Sequence, residues 1–243
     1  MFNDHQTEQI DRVLNDVADE LLDAADIDAP PVDVLRLAGA LGMLVAWDQG
    51  QSGRARLVRM SGGSSRAARS TIFLRPEPRA ERQHWAVAHE IGEHAVHHVF
   101  DRLAIDPRDD RPTNRERVAD ALASRLLLPK RWYLEDARHG GWDLFALKSR
   151  YATASHELIA RRMLDFDEPV IITIFDQGQV HLRRGNFGLV PRPTPVELRC
   201  RIMTHRSGIP GRLEDPLLRV HGWPIHQDGW QREILRSEPR EFT

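Results

Sequence analysis

The sequence of 243 residues predicts an α+β protein, with helices around a small sheet in its first half and a smaller mixed module after it. Apolar residues recur at three- and four-residue steps over several long segments, which is the period of helices that pack on one face. Short apolar runs between residues 43 and 74 are bounded by Gly, Ser and Asp, as is typical of strands. The two patterns together indicate an α+β fold.

The first half begins with two helices. One is predicted over residues 7–25, and Pro30-Pro31 separates it from a second over residues 32–41. Strands are then predicted over residues 43–47, 55–60 and 71–74, with a Ser-Gly-Gly-Ser-Ser turn between the last two.

The segment that follows these strands, from Trp85 to His98, is unusually rich in histidine and glutamate. In the common HExxH arrangement, two histidines four residues apart lie about 40° apart around a helix and face one metal, while the adjacent Glu acts as general base. Here His89-Glu90 begins such a motif, but Glu93 stands four residues after His89. The next histidine, His94, would lie about 140° from His89 on an unbroken helix.

Two metal sites are compatible with this spacing. Either Glu93 binds the metal through its carboxylate, or a one-residue bulge in the helix brings His94 to the metal. Both keep Glu90 as the base. A site with Glu93 would admit Mn²⁺ or Fe²⁺, whereas a site with His94 would select Zn²⁺. We prefer the bulge, because Gly92 lowers the cost of distorting the helix and a neutral imidazole suits zinc.

A second helix, predicted from Glu116 to Pro129, supplies a partner for the first. Small and large apolar residues alternate on one stripe, which lets another helix approach closely, and Pro129 ends the helix. Glu116 and Asp120 lie four residues apart on it. Asp120 is placed to accept a hydrogen bond from the second ring nitrogen of a metal-bound histidine.

With these two helices, residues 29–129 resemble the ImmA/IrrE family of metallopeptidases. That family joins an Ala-His-Glu-x-Gly-His helix to a Glu-x-x-Ala-(Asn/Asp)-x-(Phe/Leu)-Ala-x-x-Leu-Leu-x-Pro helix, and this chain departs from the pattern at Glu93. The resemblance implies a zincin-like metallopeptidase domain in which Glu116 is the third metal ligand. It also implies a narrow protein substrate, often a helix-turn-helix repressor.

The expected activity is therefore that of a zinc metallo-endopeptidase acting on one intracellular protein. His89 and Glu116, with His94 or Glu93, would hold the metal, and Glu90 would take a proton from a metal-bound water. An oxyanion donor could come from Tyr133, Tyr151, His97 or His98. Residues 70–75 are either a core strand or an edge strand that holds extended substrate. The alternative function is a catalytically degenerate protein- or DNA-binding module.

Composition is consistent with a cytoplasmic protein. The single Cys200 excludes an internal disulfide and a thiolate zinc site, and neither a signal peptide nor a membrane-spanning apolar run is expected. The net charge of −2 gives no overall attraction to nucleic acid or to anionic membranes.

Three domains are expected: a peptidase domain over residues 1–140, a winged-helix-like module over residues 141–186, and a C-terminal extension over residues 187–243. The module would contain two helices, over residues 142–151 and 156–164, and a β-hairpin over residues 169–184. Its basic residues are matched by acidic ones, which argues against strong DNA binding and favours contact with protein. The extension would start irregularly at its prolines and dock through Trp223 and Trp230.

Overall fold

The computed structural model describes residues 4–50, 53–60, 69–105, 112–188, 190 and 192–240. These residues form eight α-helices and two β-sheets, so the α+β class is confirmed. The chain divides into two compact units, with residues 1–139 and 149–155 in unit 1 and residues 140–148 and 156–243 in unit 2. Within the described residues, no helix is both long enough and apolar enough to cross a membrane.

Unit 1 contains five helices, which include those expected near residues 7–25 and 32–41: α1 (Asp4–Asp23), α2 (Val34–Ala40), α3 (Ala80–Arg102), α4 (Pro112–Leu127) and α5 (Lys130–His139). Asp33 caps α2, since its Oδ1 accepts hydrogen bonds from the backbone N–H groups of Leu35 and Arg36 at 2.9 and 3.3 Å. Helix α4 ends two residues before Pro129, as expected.

The sheet of unit 1 has three strands, β1 (Leu44–Trp47), β2 (Ala55–Met60) and β3 (Arg69–Leu74), in the order β1-β3-β2. Strand β3 pairs in parallel with β1 and antiparallel with β2, so hydrogen bonds occupy both of its sides. The interpretation of residues 70–75 as a substrate-binding edge strand is therefore wrong, and the edge strands are β1 and β2. The expected Ser-Gly-Gly-Ser-Ser turn lies outside the described residues.

Helices α3 and α4 approach closely at Gly92. A Cβ atom added to Gly92 would lie 2.6 Å from the carbonyl oxygen of Ala119, so only glycine fits there. Around this point α1 adds Leu14 and Val17 to a core that also contains Val99 and Leu122. The small-residue stripe of α4 serves the close approach that the sequence predicted.

Unit 2 is built on a five-stranded antiparallel sheet in the order β5-β4-β8-β7-β6. Its elements are α6 (Leu144–Arg150, whose last two residues are assigned to unit 1), α7 (His156–Arg162), a 3₁₀ turn (Met163–Asp165), β4 (Ile171–Asp176), β5 (Gln179–Gly185), α8 (Pro195–Ser207), β6 (Gly211–Glu214), β7 (Leu218–Gln227) and β8 (Trp230–Pro239). The expected hairpin is β4–β5. Because β4 pairs with β8, the hairpin and the last strands share one sheet.

Helix α8 is anchored by a buried carboxylate. Glu197 is fully buried and forms a bidentate ion pair with Arg183, at 2.9 and 3.0 Å, while its two oxygens also accept hydrogen bonds from Ser237 Oγ and Thr194 N. Burial alone would raise the pKa of Glu197, but these hydrogen bonds outweigh it and the pKa is lowered. Trp223 is buried as expected, and its Nε1 donates to Asp143 at 3.3 Å.

The close contact at Gly92 gives a first prediction. Gly92→Ala should lower the free energy of unfolding by about 1–3 kcal/mol, because the added methyl meets backbone that cannot rotate away. Gly39→Ala is the matched control, since nothing lies within 4 Å of its added Cβ and alanine favours α2 by up to about 1 kcal/mol. Urea unfolding measures both. Equal stability of the two variants would contradict a close α3–α4 approach.

A second prediction concerns His221 in unit 2. Burial and the nearby charge of Arg212 lower its pKa to about 4, while Asp143 opposes the shift. In the unfolded chain this imidazole has its ordinary pKa of 6.5. The free energy of unfolding is therefore unaffected by this group above pH 6.5, and it falls by about 3 kcal/mol as the pH decreases from 6.5 to 4. In His221→Gln the free energy of unfolding, measured by tryptophan fluorescence, should fall less between pH 6.5 and 4 than it does in the native protein. Parallel pH profiles for the two proteins would rule this out.

Candidate metal centre

Helix α3 is α-helical throughout Ala80–Arg102, so the preferred bulge at Gly92 is absent. Gly92 has a different role, because the backbone of α4 lies against it. A regular helix places Glu93 on the same face as His89, one turn further on, and rotates His94 away from it.

Three side chains from α3 and α4 converge in unit 1: His89, Glu93 and Glu116. Each offers one ligand atom, and these atoms all lie within 4.8 Å of one another. His89 Nε2 is 3.4 Å from Glu116 Oε2. The side chains of His89 and Glu93 are 21% and 24% exposed and that of Glu116 is 65% exposed, so the cluster opens to solvent on the α4 side.

Asp120 orients the histidine of this cluster. His89 Nδ1 lies 3.0 Å from Asp120 Oδ1. A carboxylate only accepts, so we assign the ring proton to Nδ1, which leaves the Nε2 lone pair facing Glu116. The predicted contact between Asp120 and the histidine is confirmed, and it prepares Nε2 to bind a cation.

Glu90 is half-buried beside the cluster, and its Oε2 accepts a hydrogen bond from the backbone N–H of Leu57 at 2.7 Å. Burial raises the pKa of Glu90; the Leu57 N–H and His89 act against this, and the charges of Glu93 and Glu116 raise it further. A carboxylate with a raised pKa is a better proton acceptor than an ordinary surface glutamate.

The family model of the IrrE N-terminal-like domain matches residues 42–164, just over half of the chain. The chain belongs to this family. The match contains α3 and α4, and with them every member of the cluster. The resemblance found in the sequence is thereby confirmed, and a metallopeptidase-like domain is assigned to this part of the chain.

A solved structure shares the fold of this IrrE family member. It is a Mycobacterium tuberculosis transcriptional regulator, which superimposes with a TM-score of 0.67 at 13% sequence identity and covers 93% of this chain and 75% of its own. At this identity the likeness concerns the fold alone. Comparison with curated proteins gave no match.

Other residues proposed as ligands or oxyanion donors of the IrrE-like domain are not members of the cluster. His94 is half-buried, and its carbonyl oxygen lies 2.9 Å from His97 Nδ1. His97 and His98 are exposed, with ring centroids 4.0 Å apart. Tyr151 is fully buried and donates to Asp136 at 2.7 Å, so its hydroxyl is not available to a substrate.

Two contacts of the site were not anticipated from sequence. One is the bond from Leu57 to Glu90, which depends on strand order. The other is an ion pair between Arg115 Nη2 and Glu93 Oε2 at 3.5 Å, which offsets part of the negative charge of the two glutamates. The position of Arg115, immediately before Glu116, was the available signal.

Proposed function

We propose that this chain is a metal-dependent endopeptidase that cleaves one specific intracellular protein, of the helix-turn-helix repressor class. The observation that carries the proposal is the convergence of His89, Glu93 and Glu116 beside the half-buried Glu90. Membership of the IrrE family supports the reaction class. The substrate class rests on the family resemblance.

The donor set fits a divalent metal. His89 Nε2 and the carboxylates of Glu93 and Glu116 would hold the ion. Asp120 accepts a hydrogen bond from the other ring nitrogen of His89, as carboxylates do beside the histidine ligands of many metal sites. One imidazole and two carboxylates form a harder set than two imidazoles, so Zn²⁺, Mn²⁺ and Fe²⁺ are all suitable. A bound ion would acidify a water molecule and polarise a peptide carbonyl.

Glu90 is the base in this proposal, and it is also linked to strand β2. Arg75 N donates to Arg54 O, so alternate residues of β2 bond to β3, and the N–H of Leu57 points the other way, toward Glu90. An extended substrate could add to this edge through the outward groups of Ala55 and Leu57. A substrate carbonyl that accepted the Leu57 N–H would release Glu90 and raise its pKa further, since that hydrogen bond lowers it.

We propose that unit 2, including the winged-helix-like pair of helices and hairpin, contacts protein rather than DNA. Two of its arginines are engaged by carboxylates: Arg183 pairs with Glu197, and Arg232 pairs with Asp176 and Glu157. Phosphate binding requires cations that face the solvent.

The second candidate function is regulation without catalysis. The departure from HExxH at Glu93 favours it, and the similar structure is described as a transcriptional regulator.

The two candidates differ in one observable, the appearance of new protein N-termini. Cells producing the native chain should contain a cleaved protein that cells producing Glu90→Gln lack. Its absence, with the metal bound, would favour the regulator.

The metal centre gives a third prediction. Glu93→Gln, His89→Ala and Glu116→Ala should each reduce the metal bound at this centre, while His94→Ala should retain it, because His94 is not in the cluster. Glu90→Gln should keep the metal and lose activity, since it removes the base. Elemental analysis after purification without chelator or metal-affinity tag measures the change in bound metal per chain relative to the native protein. Full metal content in Glu93→Gln together with its loss in His94→Ala would overturn this ligand set.

A fourth prediction tests the edge strand. Leu57→Pro should lower kcat/KM on the protein substrate by about tenfold or more and leave metal binding intact, because it removes the outward N–H of β2 that Glu90 and an added substrate strand would share. Leu57→Val is the matched control, since it keeps the N–H and suits a strand. Rapid cleavage of casein by the native chain, or undiminished cleavage by Leu57→Pro, would show that this edge does not select the substrate.

A further inference from the structure

A second group of potential ligands lies in unit 2, on the last helix and the last two strands. His205 is in the final turn of α8, His226 is near the end of β7, and Glu233 is on β8. Pro224 is paired with Glu233, so His226, two residues later, projects from the same face of the sheet. Helix α8 packs against these strands, which brings His205 to the same place.

Both imidazoles converge on one carboxylate oxygen. His205 Nδ1 lies 2.8 Å and His226 Nε2 lies 2.9 Å from Glu233 Oε1. The two rings are edge-to-face with centroids 5.5 Å apart. Ligand atoms from the three residues all lie within 4.8 Å of one another.

The burial of Glu233 is the second observation. Its side chain is 0% exposed, and its other oxygen, Oε2, is buried with no hydrogen-bond partner among the described residues. A buried carboxylate oxygen without a partner is costly, more so than a buried neutral group. The side chains of His205 and His226 are 40% and 26% exposed, so the cluster can be reached from solvent on the imidazole side.

We propose that His205, His226 and Glu233 form a second divalent metal site, suited to Zn²⁺. Two imidazoles and one carboxylate are the donor set of zinc sites that keep a fourth position for water. Tetrahedral zinc needs donors about 3.3 Å apart, so the observed 2.8 and 2.9 Å have to widen by only a few tenths of an ångström. The ion would replace two hydrogen bonds to Oε1 and offset the buried charge of Glu233.

This site would tie the end of α8 to the β7–β8 hairpin, and we assign it a structural role. Metal that binds the folded state alone stabilises it by an amount that grows with the logarithm of the free metal concentration divided by Kd. The inference is independent of the proposed peptidase activity, because it uses other residues and another unit. With two imidazoles it should prefer Zn²⁺ over Mn²⁺ more strongly than the centre on α3 and α4.

The test uses the full chain carrying His89→Ala and Glu116→Ala, which removes the first centre. Titration with Zn²⁺ against a chromophoric chelator should still give one bound ion per chain, and Co²⁺ should give a four-coordinate visible spectrum. Adding His226→Ala should weaken Zn²⁺ affinity by at least about 100-fold and abolish the rise in Tm that Zn²⁺ causes. His181→Ala, an exposed histidine of the same sheet, is the matched control and should retain both.

Glu233→Gln provides a variant of nearly the same shape in case His226→Ala does not fold. It should keep the hydrogen bonds to the histidines and still lose the ion. Absence of Zn²⁺ binding to the chain without its first centre would overturn the proposal, and the three residues would then be a hydrogen-bonded triad. Zinc binding that survived both His226→Ala and Glu233→Gln would also overturn it.

Discussion

The close approach of α3 and α4 at Gly92 is the constraint on which unit 1 depends. Gly92 lies between His89 and Glu93 on its helix, and Ala119 lies between Glu116 and Asp120 on the other, so site residues flank the contact point on both helices. Any side chain at Gly92 would push the helices apart, because it would meet backbone atoms of α4. The same separation would take Glu116 and Asp120 away from His89. The absence of a side chain at Gly92 is therefore required both for helix packing and for the geometry of the site.

A hydrogen bond connects the edge of the sheet to the site. Leu57 donates to Glu90 from the edge of the sheet, so the proposed base and the proposed substrate-binding strand share one proton donor. Because a backbone N–H has one proton, Glu90 and a substrate carbonyl compete for it. Substrate pairing along β2 would thus change the environment of Glu90 without any movement of a helix.

The sequence predicted those parts of the fold that depend on local pattern. Helix α3 follows from its HExxH-like motif and α4 from its periodicity, and the contact between His89 and Asp120 follows from spacing on two adjacent helices. The role of Gly92 was misjudged, because a glycine within a helix can indicate either local distortion or a close neighbour, and only the partner helix decides which. The edge position of β2 also depends on strand order, which spacing along the chain does not reveal.

In unit 2 the sequence contains local signals for a helix and a hairpin within the stretch whose prolines had indicated an irregular chain. Thr194, Pro195 and Glu197 form a capping box with proline at the first helical turn, which predicts the start of α8 at the place where an irregular stretch was expected. Asp228-Gly229 is a hairpin signal between β7 and β8.

The two clusters differ in the solvent exposure of their glutamates, and this difference bears on the roles proposed for them. Glu116 is 65% exposed, so water already stabilises its charge and a metal gains little by replacing that water. Both clusters offer three protein ligands and would leave a fourth position for water, and the first has Glu90 beside it as the proposed base. Glu233 is 0% exposed, so a cation there replaces solvation that the fold has removed. In the two proposals, an ion at Glu233 would hold α8 against the sheet, whereas an ion between α3 and α4 would lie beside the proposed base Glu90.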